Sequence, residues 1–166
     1  MLDSSASTRG SASPHEWRWI SEIYNAIRTI ESSRNRIATQ AETALELGLD
    51  QSEYCNRILY LIRFVIPFLQ PVDENHVTLL DYGMRESLVY SLPQSQAVRL
   101  ITNAILRMPN QEQTVLSLHF KEKLNAAELA LVMNTDAASA SYLLAHAIFR
   151  LRSYLGSEWP KSRRVN

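Results

Sequence analysis

Four histidines, His15, His76, His119 and His146, are the first residues to test for metal or acid–base chemistry, and their scatter offers no ligand spacing. The stretch HEWRW, starting at His15, opens like a zinc-protease motif but places Trp19 where the second histidine belongs. A Gly-rich phosphate loop and a nucleophile elbow are both missing. The residues therefore predict no enzyme, no metal site, no cofactor and no small-molecule substrate. What is left is binding chemistry. Arg150 and Arg152, in IFRLR, and Lys121 and Lys123, in FKEKL, are candidates for contact with phosphate. The arginine pair is equally suited to complement the dipole at a helix C-terminus. Glu112, Glu122 and Glu128 read as helix-terminal or capping carboxylates.

These side chains need helices to present them. ELALVMNTDAASASYLLAHA, from Glu128, has the outline of a helix-turn-helix: an amphipathic helix ends at Asn134, and Asp136 caps the next one. Asn125 is the predicted N-cap of the first helix, with Glu128 closing a capping box. The same arrangement stands earlier in the chain, where Thr39 and Glu42 form the box, Gly48 takes the left-handed turn, and Asp50 caps. Glu42 to Asp50 and Glu128 to Asp136 have identical spacing, with Ala44/Ala130, Leu45/Leu131 and Leu47/Met133 matching between. Upstream, Trp17, Ile20, Ile23, Tyr24, Ile27 and Ile30 form one helical stripe.

The expected fold is all-α: two small helical modules, each with a helix-turn-helix, joined by a linker. Residues 1–14 are a Ser-rich disordered tail, 15–69 the first module, 70–96 the linker with one short helix, 97–158 the second module and 159–166 a basic tail. Four Gly and six Pro in 166 residues, with 46% hydrophobic content, favour helices over hairpins and suffice for real cores. The single cysteine, Cys55, excludes an internal disulfide and fits a reducing, cytoplasmic setting. ILYLIRFVIPFL is the most apolar run, but it carries Arg63 and Pro67 and is too short to span a bilayer, so no membrane association is expected. It reads either as contact between the modules or as a partner surface. Residues 1–98 hold eight Lys/Arg and twelve Asp/Glu, about −4, and residues 99–166 hold nine and five, about +4. That split suggests a nucleic-acid-facing C-terminal module, or is ordinary surface variation.

The residues resemble bacterial sigma factors of the flagellar type. MPNQEQTVLSLHFKEKLNAAELALVMNTD and LLAHAIFRLR are similar to sigma region 4 through Pro109, Glu112, Val115, Leu116, Leu118, Phe120, Glu122, Leu124, Glu128–Ala130, Met133, Ala147, Ile148 and Arg150–Arg152. The N-terminal half resembles region 3 through Glu16-Trp17, Ala38-Thr39, Glu42, Ala44, Leu47–Asp50 and Glu53-Tyr54. The resemblance implies transcription regulation, with the RNA polymerase core (its β-flap), an anti-sigma factor and promoter DNA as partners. In the family, region 4 offers an apolar surface to such protein partners, which implies roles for Leu116, Leu118, Phe120 and Leu124.

Two departures qualify what the resemblance implies. Region 2 has no counterpart in these residues, so the chain is not expected to open promoters by itself. The family's recognition helix carries Arg and Gln toward the −35 element; here Ser139 and Tyr142 hold those positions, with Ser141 between them. Each lost bidentate contact removes roughly 1–3 kcal/mol of base discrimination. With Lys121, Lys123, Arg150 and Arg152 left for the phosphates, DNA binding is expected to be weak and nearly independent of sequence.

Overall fold

The computed structural model describes residues 12–65, 69–81 and 88–159. The predicted tails lie mostly outside these residues. Helix α1 spans Pro14–Arg34, where Pro14 occupies the first turn and Ser13 caps it in a box with Glu16. The predicted stripe faces inward: Ile20, Ile23, Tyr24, Ile27 and Ile30 are all buried. Asn35, with φ +51°, ends the helix in the left-handed region.

Helices α2 (Gln40–Glu46) and α3 (Gln51–Val65) form the first helix-turn-helix. Thr39 and Glu42 make the capping box, and Asp50 accepts the Glu53 backbone N–H at 2.8 Å. Gly48 has φ +73°, a backbone that costs a side-chain-bearing residue roughly 1–2 kcal/mol. On α3, Tyr54, Ile58, Leu61, Phe64 and Val65 are buried. This face packs against the last helix, and Phe64 meets Trp17 of α1 edge-on, so the apolar run makes contact between the halves.

The segment expected to be a linker with a short helix holds instead a three-stranded antiparallel sheet. Strands β1 (Leu69–Asp73), β2 (His76–Asp81) and β3 (Leu88–Pro93) pair in chain order, with Leu69 opposite Leu79 and Leu79 opposite Tyr90. A side-chain turn closes the first hairpin: Asp73 accepts the Asn75 backbone N–H at 2.7 Å. Thr78, Leu79 and Leu92 are buried, and β2 and β3 lie against helix α4. The strands are short and interrupted by Pro71, which blurs any alternation in the residues.

Helices α4 (Gln94–Leu106), α5 (Asn110–Phe120), α6 (Ala126–Met133) and α7 (Ala137–Glu158) complete the chain. Helix α7 is the axis of the molecule. Every residue from Ala145 to Leu155 is buried, on all faces, because α1, α3, α4, α5 and α6 each pack against it. A helix buried all round belongs to the middle of a core. One contiguous apolar cluster therefore joins both halves, from Ile20 and Tyr54 to Val115, Leu129 and Phe149. Among the described residues no helix is long and apolar enough to cross a membrane.

Candidate functional site

The second helix-turn-helix has the geometry its capping residues predict. Asn125 and Glu128 exchange capping bonds of 2.9 Å, and Asn134, at φ +58°, turns the chain. The Thr135 N–H then donates to the Ala130 carbonyl at 2.9 Å, as the Leu49 N–H does to Ala44 in the first unit. Ala44 and Ala130 are both buried, while their neighbours Leu45 and Leu131 are 78% and 82% exposed. The two units are thus alike in three dimensions as well as in spacing.

At the start of α7, Ala137, Ala138 and Ser139 are exposed. Ser139 is occupied locally: its backbone N–H donates to Asp136 Oδ1 at 2.7 Å and its hydroxyl donates to Oδ2 at 3.1 Å. The backbone N–H of Ser139 holds the Asp136 carboxyl below its usual range, as expected for an N-cap. Ser141 is half-buried. Tyr142 turns away from solvent: its ring meets His146 edge-on at 6.3 Å, and burial raises its phenol. Tyr142, which holds the position of a family base reader, thus packs partly buried against the core, on the helical period that carries Ala145 and His146 inward.

Lys121 and Lys123, at the corner between α5 and α6, are exposed, and Lys123 takes φ +61°. Arg150 and Arg152 are not at the surface. Arg150 is 1% exposed, and its guanidinium donates to Glu112 Oε1, Glu31 Oε2 and the Ala38 carbonyl, each at 2.7 Å. Arg152 is 2% exposed and donates to the Tyr24 hydroxyl at 3.1 Å, with its guanidinium over the Tyr24 ring. The expected phosphate contacts are therefore corrected for both arginines: as packed here, neither reaches solvent. The physical reason is the position of α7 inside the helices, which encloses every residue from Ala145 to Leu155.

Glu112, expected to be helix-terminal or capping, does lie in the first turn of α5 but makes no cap. Pro109 precedes α5 without any side-chain cap, and Glu112 turns inward to Arg150. Burial pushes its carboxyl up, and the Arg150 guanidinium pulls it partly back. Glu31, which was not singled out in the residues, accepts from Arg150, from the Ala38 N–H at 3.0 Å and from the Tyr154 hydroxyl at 3.1 Å. Its distance along the chain from Arg150 leaves no local spacing that could have revealed it.

The apolar candidates also divide. Leu116 is 3% exposed and Leu118 and Leu124 pack partly into the core, so these three serve the interior; Phe120 stays 44% exposed. Leu131 and Val132, 82% and 58% exposed at the end of α6, were missed as surface residues. Their apolar character reads as core until the partner helix shows which face is covered. No group of three or more potential metal ligands occurs among the described residues.

No protein-family model matches the chain. RNA polymerase sigma factor FliA of Escherichia coli (strain K12) is 30% identical over 139 residues, covering 81% of this chain and 58% of that protein. The chain is a homologue of the flagellar sigma factors. FliA of Salmonella typhimurium (strain LT2) is 28% identical to this homologue over 139 residues, and FliA of Pseudomonas aeruginosa 26% over 145. The homologue spans a little over half the length of these relatives, 58% and 56%. The solved flagellar sigma/anti-sigma complex Sigma-28/FlgM overlays on 93% of this chain and 65% of that one, with 21% identity and a TM-score of 0.45. That overlay is too loose to assign a role to any residue.

Proposed function

We propose that this sigma-factor homologue is a transcription regulator acting at RNA polymerase or promoter DNA, with a −35 recognition helix emptied of its reading groups. The observation that carries the proposal is the first turn of α7, where a correctly capped helix-turn-helix presents Ala137, Ala138 and a Ser139 already bonded to its own cap. Backbone-positioning contacts remain available through the exposed Lys121 and Lys123, while bidentate base readers are missing. The test is a titration of −35-like and scrambled duplexes over a range of salt concentrations. Weak binding with similar affinity for both, steeply lost with salt, is the expected result. A preference of about a hundredfold for one duplex would overturn it, because that requires roughly 2.7 kcal/mol of base discrimination.

A second reading is favoured by Leu131 and Val132, which stand exposed beside that turn. On this reading the module binds a protein, the polymerase β-flap or an anti-sigma factor, and modulates a full-length sigma by competition. Large exposed apolar side chains next to a surface of small residues support protein contact better than contact with phosphate. Capture of β-flap or anti-sigma protein that is lost in Leu131→Asp, with folding unchanged, is the expected outcome; capture unaffected by that change refutes it.

A further inference from the structure

The first helix-turn-helix repeats the backbone of the second and differs from it in what it presents. Thr39, Ala44, Gly48 and Asp50 stand where Asn125, Ala130, Asn134 and Asp136 stand, each pair at the same offset along the chain. Both units turn through a left-handed residue, with φ +73° at Gly48 and +58° at Asn134. In both, the second helix begins on an aspartate that accepts the backbone N–H three residues on, at 2.8 Å for Asp50 and 2.7 Å for Asp136. Positions along α3 therefore match positions along α7 one for one.

The match sets Gln51 against Ala137, Ser52 against Ala138, Glu53 against Ser139 and Asn56 against Tyr142. Gln51, Ser52 and Asn56 are exposed. Ser52 and Asn56 lie one turn apart on the outward face of α3, opposite the buried Tyr54, Ile58, Leu61 and Val65, and Gln51 opens the helix. A primary amide carries a donor and an acceptor side by side, the pattern that pairs with N6 and N7 of adenine in the major groove. In this motif the N-terminal residues of the second helix are the ones that reach base edges. On α7 the matching positions hold an alanine, too short to reach, and a tyrosine packed partly into the core.

The charges around α3 are disposed to suit a phosphate backbone. Arg34 and Arg36 are exposed just before α2, where Glu42 gathers them, and the first helix of the motif is the one that crosses the phosphates. Arg63 is exposed farther along the face of Ser52 and Asn56. The acids at the start of α3 are spent on its cap: the Asp50 backbone N–H donates to Glu53 Oε1 at 3.4 Å while Asp50 accepts from Glu53.

We infer that the first helix-turn-helix is the sequence-reading surface of this chain, with Gln51 and Asn56 on adenines in a DNA major groove and Arg36 and Arg63 on the flanking phosphates. The inference rests on the DNA reading proposed above and assigns the specificity to α3 in place of α7. Duplexes chosen without regard to α3 do not reveal it.

The experiment selects, with the full chain at low salt, from DNA duplexes carrying a randomised segment, then titrates the selected duplex against a scrambled one. The selected site should hold adenine at one or two fixed positions and be preferred about tenfold or more. Gln51→Ala/Asn56→Ala should abolish that preference and leave the scrambled duplex and the salt slope unchanged, since no phosphate contact is lost. Arg36→Ala should weaken both duplexes alike and reduce the slope by about 1. These are surface changes, and melting curves confirm that each variant folds. Without any variant, 7-deazaadenine at the selected position, which lacks the N7 acceptor, should cost the wild type the same preference. Duplex binding with no enriched site, or a preference that survives the double variant, overturns this inference and leaves the weak binding proposed above in place. A preference lost in Ser139→Ala instead would return the reading to α7 and overturn both. No duplex binding at low salt removes the DNA reading itself, and this inference with it.

Discussion

Replacing Arg150 by alanine separates a surface role from a core role with a large margin. A surface arginine at a helix end is worth within about 0.5 kcal/mol. Here the side chain is 1% exposed and donates four bonds, to both oxygens of Glu112 at 2.7 and 3.3 Å, to Glu31 and to the Ala38 carbonyl. Its removal leaves Glu112, only 3% exposed, without its counter-charge. Stranding one member of a buried pair costs about 3–5 kcal/mol. For a chain of this length that lowers the melting temperature by roughly 6–20 °C. The deficit should also depend on pH. Burial already raises Glu112 above 4.5, and losing Arg150 removes the influence that lowers it. A carboxyl raised in the folded state takes up a proton there first, so the penalty eases as pH falls through the raised value and is fully relieved below 4.5. Urea titrations followed by circular dichroism at pH 8, 7 and 5 measure this, with Glu112→Gln, alone and combined with Arg150→Ala, closing a double-mutant cycle. A loss under about 1 kcal/mol, or a double variant equal to the sum of the singles, would refute the reasoning.

Other outcomes follow from the same packing. His146 is fully buried and burial lowers its imidazole to about 3 from 6.5, so its contribution to stability is complete above 6.5 and is lost as pH falls toward 3; the loss should run at about 1.4 kcal/mol per pH unit, and His146→Phe should flatten that limb of a stability–pH curve. Tyr142→Gln should destabilise by about 1–3 kcal/mol, because the ring packs on His146, whereas Ser139→Arg should fold normally and raise duplex affinity, both read by a melting curve with a duplex titration. Gly48→Ala should cost about 1 kcal/mol in chemical denaturation although nothing lies within 4 Å of the added Cβ, since the cost is φ +73° itself.

The helix-turn-helix units were legible because their signals are local. A cap and its box partner lie three residues apart, and a left-handed turn needs Gly or Asn, so Thr39/Glu42, Gly48, Asn125/Glu128 and Asn134 announce their geometry without reference to the rest of the chain. The stripe of α1 was legible for the same reason, as a 3.6-residue period is a property of one element. The small sheet was not. Its strands are short, Pro71 interrupts the first, and pairing of His76–Asp81 with Leu88–Pro93 is settled by hydrogen bonds between segments.

The site divided along the same line. The small side chains of Ala137–Ser139 stand in the residues themselves, and the turn that presents them is held by its own cap. Whether a side chain is offered to solvent is a different kind of fact. Arg150, Arg152 and Tyr142 look like surface groups by type, yet α7 is enclosed by helices from both ends of the chain, and the group that satisfies Arg150 in α1 lies far from it in sequence. Leu131 and Val132 look like core by type, yet no helix among the described residues covers them. Capping and periodicity are decided within a few bonds of backbone, whereas burial is decided by which distant surfaces meet, and the cost of an unpaired charge or an uncovered leucine exists only once they have met.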